Sequence, residues 1–481
     1  MEYEAVIGLE IHAQLATDTK IFCGCSTRFG APANTHVCPV CLGMPGVLPV
    51  LNARVVEQGV RAALALGCTV QPVSVFARKN YFYPDLPKGY QISQYEEPLA
   101  TDGRVAFTMA GDEHTVGIVR VHLEEDAGKS LHEGFTDSAR STYLDFNRSG
   151  VPLIEIVTRP DLRVPAAAAE FFQRLRGILT AIGVNDGNME EGSLRCDANV
   201  SVRPVGETRL GTKVEVKNIN SFRFLQRALE FEIDRQTDLV RGGGAVAQET
   251  RLWNSAAGRT ASMRSKEEAH DYRYFPEPDL PPLRLEAEWI ESVGASLPEL
   301  PDARRRRLKV EHGLPDQDAA WLARAPELAA YFEATAAACG HPRAASHWIQ
   351  GPLTHRMKAV GIGIDAVPVG AEALAELIGL AETGAVSGST AKDVFERMWE
   401  TGRSAREIVH AENLSQIGDA GALGALVDEA LAAQPDAVAR YRAGKTGALG
   451  FLVGQIMRAT RGQANPRLVD SLLRERLDRN D

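Results

Sequence analysis

The sequence predicts an α+β protein, mixed in its first 290 residues and helical after them. Three observations carry this. Short stretches alternating between apolar and polar residues recur through residues 1–290, broken by Gly, Pro, Asn and Asp, as half-buried strands require. Amphipathic helical patterns interrupt them. After Pro281-Pro282 the strand signals fade and Ala- and Leu-rich helical spacing takes over.

The clearest alternating stretches begin at Gly8, Val119, Cys196 and Thr212, with Ile154-Glu155-Ile156 as a shorter fifth. The first helix is predicted over residues 165–182. Phe171, Phe172, Leu175, Ile178, Leu179 and Ile182 recur at helical spacing, Pro165 opens it and Gly183 follows its end. The second spans about 222–240, with Phe222, Leu225, Leu229 and Ile233 on one face and Gly242-Gly243-Gly244 as the stop. Residues 298–410 read as helices, with a break expected between 402 and 413. Short helices follow, the last an Arg-rich amphipathic one from Pro466. No fixed-period repeat is present.

The chain of 481 residues is 44% hydrophobic and 24% charged, an ordinary balance for a globular protein of two to four domains. No apolar run is long enough to span a bilayer. The opening Met1-Glu2-Tyr3-Glu4 has neither the basic stretch nor the apolar core of a leader, so a cytoplasmic protein with no membrane partner is expected. The net charge of −10 argues against tight non-specific nucleic-acid binding by the whole surface. Residues 441–481 are the exception, with eight Arg or Lys against four Asp or Glu. A solvated helical bundle and a polyanion-binding tail both fit that balance.

Four of the seven cysteines fall within nineteen residues, as Cys23-x-Cys25 and Cys38-x-x-Cys41. Two close pairs across a short loop can set four thiolates at the corners of one tetrahedron, the closed site that structural zinc prefers. Reduced buried cysteines, or a redox pair at Cys38 and Cys41, are the other readings.

The polar sides of the alternating stretches are rich in charged groups. Side chains two apart on a strand share a face. The faces are Glu10, His12 and Gln14; Arg120, His122 and Glu124; Asp197, Asn199, Ser201 and Arg203; and Lys213, Glu215 and Lys217. Glu155 stands between two apolar neighbours. Any single face of this kind is also what a solvated antiparallel strand shows. Together they offer carboxylates and histidine for a divalent cation, and Lys and Arg for phosphate oxygens. That set suits phosphoryl transfer, where positioning and charge neutralisation dominate. Neither a Gly-x-x-x-x-Gly-Lys-Ser/Thr loop nor a Gly-x-Gly-x-x-Gly fingerprint is present. Two loops mix aromatics with charges. One is Arg78-Lys79-Asn80-Tyr81-Phe82-Tyr83-Pro84-Asp85-Leu86-Pro87-Lys88-Gly89-Tyr90-Gln91. The other runs through Met263, Arg264, Ser265, Lys266 and Glu267, then Asp271-Tyr272-Arg273-Tyr274-Phe275-Pro276-Glu277-Pro278-Asp279. Such loops stack on nucleobases, or are simply pinned by Tyr and Pro.

In this order, the motifs Gly8-Leu9-Glu10-Ile11-His12, Gly46-Val47-Leu48-Pro49-Val50-Leu51-Asn52, Asn80-Tyr81-Phe82-Tyr83-Pro84-Asp85, His122-Leu123-Glu124-Glu125-Asp126-Ala127-Gly128-Lys129, Asn147-Arg148-Ser149-Gly150-Val151-Pro152-Leu153, Met189-Glu190-Glu191-Gly192-Ser193-Leu194-Arg195-Cys196-Asp197 and Gly450-Phe451-Leu452-Val453-Gly454-Gln455 resemble the B subunits of the aspartyl/glutamyl-tRNA(Asn/Gln) amidotransferases, the GatB/GatE family. The resemblance covers essentially the whole chain. It implies a catalytic cradle built on an antiparallel sheet with helices (residues 1–292, with a zinc knuckle at 23–41), a helical middle domain (293–410) and a small helical, YqeY-like, tRNA-binding tail (411–481).

It also implies a glutamine-hydrolysing ligase chemistry. ATP phosphorylates the side-chain carboxylate of Asp or Glu on misacylated tRNA(Asn) or tRNA(Gln), and ammonia then displaces the phosphate. The ammonia comes from a glutaminase A subunit, GatA, and a small C subunit, GatC, completes a heterotrimer. Carried over by position, the Mg2+ and phosphoryl-transfer site falls on His12, Glu125 and Glu155, with Glu10 and Glu124 close. Strand parity instead puts Glu124 with Arg120 and His122. The strand can end or bulge there, so both carboxylates stay candidates. Lys79, Arg195 and Lys217 are the candidate phosphate contacts, with Asp197 and Glu215 behind them. Zn2+ on Cys23, Cys25, Cys38 and Cys41 would be structural, since four protein ligands leave no open position for an unrelated zinc hydrolase. The alternative within the family is a tRNA-binding scaffold without catalysis.

Overall fold

The computed structural model describes residues 2–109, 111–138, 140–265, 272–414, 420–460 and 464–478. The chain forms two compact units, Met1–Pro301 and Asp302–Asp481. Among the described residues no helix is long and apolar enough to cross a membrane.

The first unit is built on a nine-stranded sheet. From one edge to the other its strands are Arg259–Ser265, Glu249–Asn254, Val214–Ile219, Leu194–Pro204, Tyr3–Gln14, Pro152–Thr158, Asp112–Glu125, Ala100–Met109 and Thr69–Val70. Every neighbouring pair is antiparallel except Val214–Ile219 with Glu249–Asn254. The sheet is thus the antiparallel cradle expected, with one parallel pair in it. The cause of that pair is the helix Phe222–Arg241 inserted between the two strands, since a parallel return needs a crossover of this length.

Alternation sorts the faces of this sheet. Leu9, Ile11, Leu123, Ile154, Ile156, Ala198 and Val200 are almost fully buried in one apolar core. Each large aliphatic among them contributes about 1.5–3 kcal/mol by burial. Helices Ala53–Ala65, Pro165–Ala181 and Phe222–Arg241 supply the other half of that core through Val56, Phe171, Phe172, Leu225 and Leu229. Their starts are set locally. The Asn52 side chain accepts from the Arg54 amide, Pro165 takes the first turn, and Ser221 accepts from Phe224. With the apolar residues committed to the helices, Glu10, His12, His122, Glu124 and Glu155 are left on the other face.

A smaller three-stranded sheet, in the order Phe275–Pro276, Phe76–Asn80, Tyr90–Gln94, carries both aromatic loops. Arg78 clips them together. Its Nε and Nη2 donate to the two carboxylate oxygens of Glu277 at 2.7 Å each, and Asn80 Nδ2 donates to the Arg273 carbonyl at 2.9 Å. Lys266, Glu267 and Asp271 of the second loop lie outside the described residues.

The second unit is helical and has two apolar clusters, one drawn from Leu308 to Val409 and one from Leu423 to Leu477. The break expected between 402 and 413 holds a helix, Ala405–Ala411, started by a reciprocal Ser404–Glu407 capping box. The interruptions flank it. Gly402 closes the preceding helix at φ 70°, and Asn413 stands at φ 50°.

Candidate active site

Strand register assembles the site. On three adjacent strands His12 is paired with Glu155, and Glu155 with His122. One strand further out, Arg195 is paired with His12. Four functional side chains from four segments therefore form one row across the sheet, and Glu124 adds a fifth, two residues beyond His122. Glu155 Oε2 lies 3.4 Å from Nε2 of both His12 and His122. Glu124 reaches His12 Nε2 at 3.8 Å and His122 Nε2 at 3.6 Å. Ser93 Oγ donates to Glu124 Oε2 at 3.2 Å. Ligand atoms of His12, Glu124 and Glu155 all lie within 4.8 Å of one another.

Charges in this row tune each other. Burial opposes the protonated form of His12, but the hydrogen bond and charge of Glu155, with Glu124 and Asp197, outweigh it and hold the pKa above the usual 6.5. Burial likewise opposes the charged His122, and Glu155 and Glu124 overcome it. Glu155 is held well below the ordinary carboxylate range: burial pushes it up, and the two imidazoles pull it further down. Glu124 is lowered in the same way, by His122 first among its neighbours. Two acids and two bases thus share one dry spot.

Glu125 does not join them. The strand runs through Glu125 without a bulge at that point, so parity holds. The Glu125 carboxylate accepts from Lys88 Nζ and, at 2.8 Å, from the Ile92 amide. It lines a separate cavity of about 230 Å³ with Arg78, Lys88, Cys23 and Cys41. The expected grouping of His12, Glu125 and Glu155 is therefore replaced, in geometry, by His12, Glu124 and Glu155.

The remaining candidates fall into two sets. Asp126 accepts from Arg195 Nη2 at 3.0 Å and from Gln14 Nε2 at 2.9 Å, which fixes Arg195 beside the row. Further along the sheet Lys217 Nζ donates to Asp197 at 2.7 Å and lies 3.4 Å from Glu215. Asn199 donates to Glu10 at 2.8 Å, and Thr250 to Glu215 at 2.8 Å. Continuing the register of Ala198 with Val216 sets Asp197 opposite Lys217, and a bulge follows. Between Cys196 and Ala198 the register slips, and Asn218 takes up the extra residue at φ 66°. Lys79 differs from Arg195 and Lys217, having no hydrogen bond or ion pair among the described residues. Its ammonium lies 5.0 Å from the Tyr272 ring centre and 5.9 Å from that of Tyr81. Burial works against its charge, but Tyr274, Glu124 and Glu155 keep its pKa above the usual lysine range.

Sequence reasoning left His122, Asp126 and Ser93 out of the candidate set. His122 had a usable signal, its phase with Glu124 on an alternating strand. Asp126 and Ser93 had none, because their roles depend on which strands become neighbours.

Cys23, Cys25, Cys38 and Cys41 bring their sulfurs within 4.8 Å of one another, so they can hold a metal ion. All four are free thiols. Hydrogen bonding from Cys23, with the buried Lys20 ammonium 3.7 Å away, draws the Cys41 thiol below its ordinary pKa.

A family model described as the GatB/GatE catalytic domain matches residues 5–291. The chain belongs to the GatB/GatE family. A second match, to a GatB domain, covers residues 330–477 and takes in residues of both apolar clusters of the second unit. Proteins of Moorella thermoacetica and Carboxydothermus hydrogenoformans, both named as the B subunit of aspartyl/glutamyl-tRNA(Asn/Gln) amidotransferase, are 56% and 52% identical to this chain. The alignments cover 99% of this chain in each case, and 100% and 99% of those proteins. A protein of the same name from Chlorobium limicola is 52% identical over 99% of this chain and 100% of its own length. The row of His12, Glu155 and His122, with Glu124 beside it, thus lies inside the stretch matched by the GatB/GatE catalytic domain.

Proposed function

We propose that the chain is the B subunit of a tRNA-dependent amidotransferase. It takes misacylated Asp-tRNA(Asn), Glu-tRNA(Gln), or both, in the cytoplasm. It works with a glutaminase A subunit, GatA, that supplies ammonia, and a small C subunit, GatC. Residues 1–292 form the catalytic cradle, 293–410 a helical domain, and 411–481 the tail that meets tRNA. The observation that carries this reading is the convergence of Glu124, Glu155, His12 and Lys79 from four separate segments of a GatB/GatE catalytic domain.

The chemistry follows from the substrate. A carboxylate is a poor electrophile, so one oxygen of the Asp or Glu side chain attacks the γ-phosphorus of ATP. The bond to the β-phosphate oxygen breaks and ADP leaves. Ammonia then attacks the acyl carbon, the carbon–oxygen bond to phosphate breaks, and nitrogen loses a proton to give the amide. Lys79, whose ammonium has no hydrogen bond or ion pair among the described residues, would meet the triphosphate, and Arg195 and Lys217, held by Asp126 and Asp197, line the approach. Two carboxylates and an imidazole fit a divalent cation by donor type, so His12, Glu124 and Glu155 would hold Mg2+. Such an ion supplies neutralisation of the phosphate charge during transfer. His122 bears on both carboxylates and orients them.

Ion and proton compete for His12. Its pKa is raised, so it stays protonated to higher pH than a free imidazole, and the ion needs it neutral. Affinity for Mn2+, titrated calorimetrically into the assembled enzyme, is therefore expected to be weaker at about pH 6 than at about pH 8. Equal affinity at both would remove His12 from the ligand set.

The four cysteines fit Zn2+ by their thiolate chemistry and closed geometry, here as a structural clasp. About one zinc per chain is expected by plasma mass spectrometry, falling to near none in Cys38→Ser with a lower melting temperature. A zinc-free wild-type protein of unchanged stability would exclude the clasp.

The function is tested by purifying the chain with its partner subunits and supplying each mischarged tRNA with glutamine and ATP. Formation of Asn-tRNA(Asn) or Gln-tRNA(Gln), with ADP released only when the mischarged tRNA is present, is the expected result. Glutamine hydrolysis with no amidated tRNA for either substrate would refute the reading.

A further inference from the structure

The cavity of about 230 Å³ that holds Glu125 has three cations in its wall, Lys20, Arg78 and Lys88. Two of them have carboxylate partners. Arg78 pairs with Glu277 and, at 3.4 Å, with Asp279, and Lys88 pairs with Glu125. Lys20 differs. It is completely buried, and among the described residues it forms no ion pair with a carboxylate. Its ammonium donates to the His36 carbonyl at 2.7 Å and to the Phe146 carbonyl at 3.4 Å. The remaining neighbour is a sulfur, Cys41 Sγ, 3.7 Å away.

A charge taken out of water is costly unless an opposite charge meets it. Two carbonyls solvate an ammonium without neutralising it. Glu125, on the same wall, is already taken by Lys88 and the Ile92 amide. The cysteines supply what is missing, since a zinc ion held by four thiolates carries two net negative charges. Local structure fixes the meeting. The Lys20 amide donates to the Cys25 carbonyl at 2.9 Å, and Asn52 Nδ2 donates to the Lys20 carbonyl at 3.4 Å. Gly150, at φ 81°, closes the space behind the side chain. A Cβ there would meet Cys41 Cβ and Lys20 Cδ at 3.5 Å and Glu125 Oε2 at 3.9 Å. Lys20 is therefore held against Cys41 from both the backbone and the opposite wall.

We infer that Lys20 is the counter-ion of the cysteine clasp, a positioning residue whose ammonium offsets the negative charge of a zinc tetrathiolate while tying it to the His36 and Phe146 carbonyls. This rests on the reading of Cys23, Cys25, Cys38 and Cys41 as a zinc site. Such a partner raises affinity for the metal without touching it. The arrangement also has a cost. Where the sulfur of Cys41 is lost, the same ammonium becomes an unpaired buried charge.

Two variants separate charge from hydrogen bonding. Lys20→Gln keeps a donor for the carbonyls and removes the charge, whereas Lys20→Arg keeps the charge. In the assembled enzyme, zinc affinity is measured by competition with a chromophoric chelator. It is expected to fall about tenfold or more in Lys20→Gln and to stay within about threefold of wild type in Lys20→Arg. With Co2+ in place of zinc, the thiolate-to-metal charge-transfer band is expected at longer wavelength in Lys20→Gln, because the ammonium stabilises the sulfur electrons of the wild type. Lys20→Arg leaves the band in place, as would any change at a lysine that merely filled space. Unchanged affinity and band in Lys20→Gln, from a wild type holding about one zinc, overturn the counter-ion and leave the clasp standing. Equal losses in both variants also overturn it and give Lys20 a packing role. A wild type that binds no zinc overturns clasp and counter-ion together. Should Lys20→Gln not assemble, Cys41→Ser serves as the background. Adding Lys20→Met to it is expected to raise the melting temperature of the zinc-stripped complex, where the ammonium has lost its thiolate. A further fall overturns the proposal.

Discussion

Glu155→Gln is expected to lower ATP-dependent amidation by at least about 10³-fold while leaving affinity for misacylated tRNA within about twofold. The substitution keeps size and removes charge. Glu155 Oε2 sits 3.4 Å from both His12 and His122, and its carboxyl is held well below the ordinary range against the cost of burial. A neutral amide cannot neutralise either imidazole, nor serve as an anionic ligand to a divalent cation. The remaining carboxylate, Glu124, would then face both histidines alone. The readout is single-turnover ADP release with mischarged tRNA bound. A loss of less than about tenfold would mean that phosphoryl transfer takes place elsewhere.

Glu125→Ala should behave differently, because the neighbouring carboxylate is doing a different job. Glu125 and Lys88 form an ion pair with both side chains almost completely buried, and the Ile92 amide donates to the same oxygen. Removing one partner of a buried pair strands the other, at a cost of about 3–5 kcal/mol. A melting temperature lower by on the order of 10 °C is expected for the variant complex, with Mn2+ affinity within about threefold of wild type. Glu125→Gln keeps a polar group facing Lys88 and Ile92 and should recover part of that loss. Wild-type melting with abolished ion binding would return Glu125 to the metal site and remove Glu124.

How far the sequence reached can be judged from these two carboxylates. Alternation in Val119-Arg120-Val121-His122-Leu123-Glu124 gave the phase of the strand, and phase alone put Glu124 with His122. Position within the family motif pointed to Glu125 instead, and the unbroken register of Glu124 and Glu125 against Leu153 and Pro152 places Glu124 beside His12 and Glu155. Helices were legible because their signals are local: Pro165 at a helix start, Ser221 as a cap and the glycines after Arg241 act within a few residues. Long-range pairing was not. Nothing near His12 says that its neighbours are Glu155 on one side and Arg195 on the other. The same limit explains the parallel pair at Val214–Ile219, whose direction depends on where the strand after Phe222–Arg241 docks. It also explains Lys217, which meets Asp197 only because its strand docks beside Leu194–Pro204 in that register. The Ala405–Ala411 helix was missed for a local reason: Gly402 and Asn413 both read as breaks, and seven residues between them give too short a period to outweigh those signals.

The proposed mechanism centres on one divalent ion that His12, Glu124 and Glu155 would hold against the triphosphate. The most direct measurement is anomalous diffraction at the manganese edge from crystals of the assembled enzyme grown with Mn2+ and a non-hydrolysable ATP analogue. The predicted result is a single strong peak within ligand distance of His12 Nε2 and of carboxylate oxygens of Glu124 and Glu155, with the γ-phosphate beside it. A peak on Glu125 without Glu124, or none near this row while the nucleotide is bound, would contradict it.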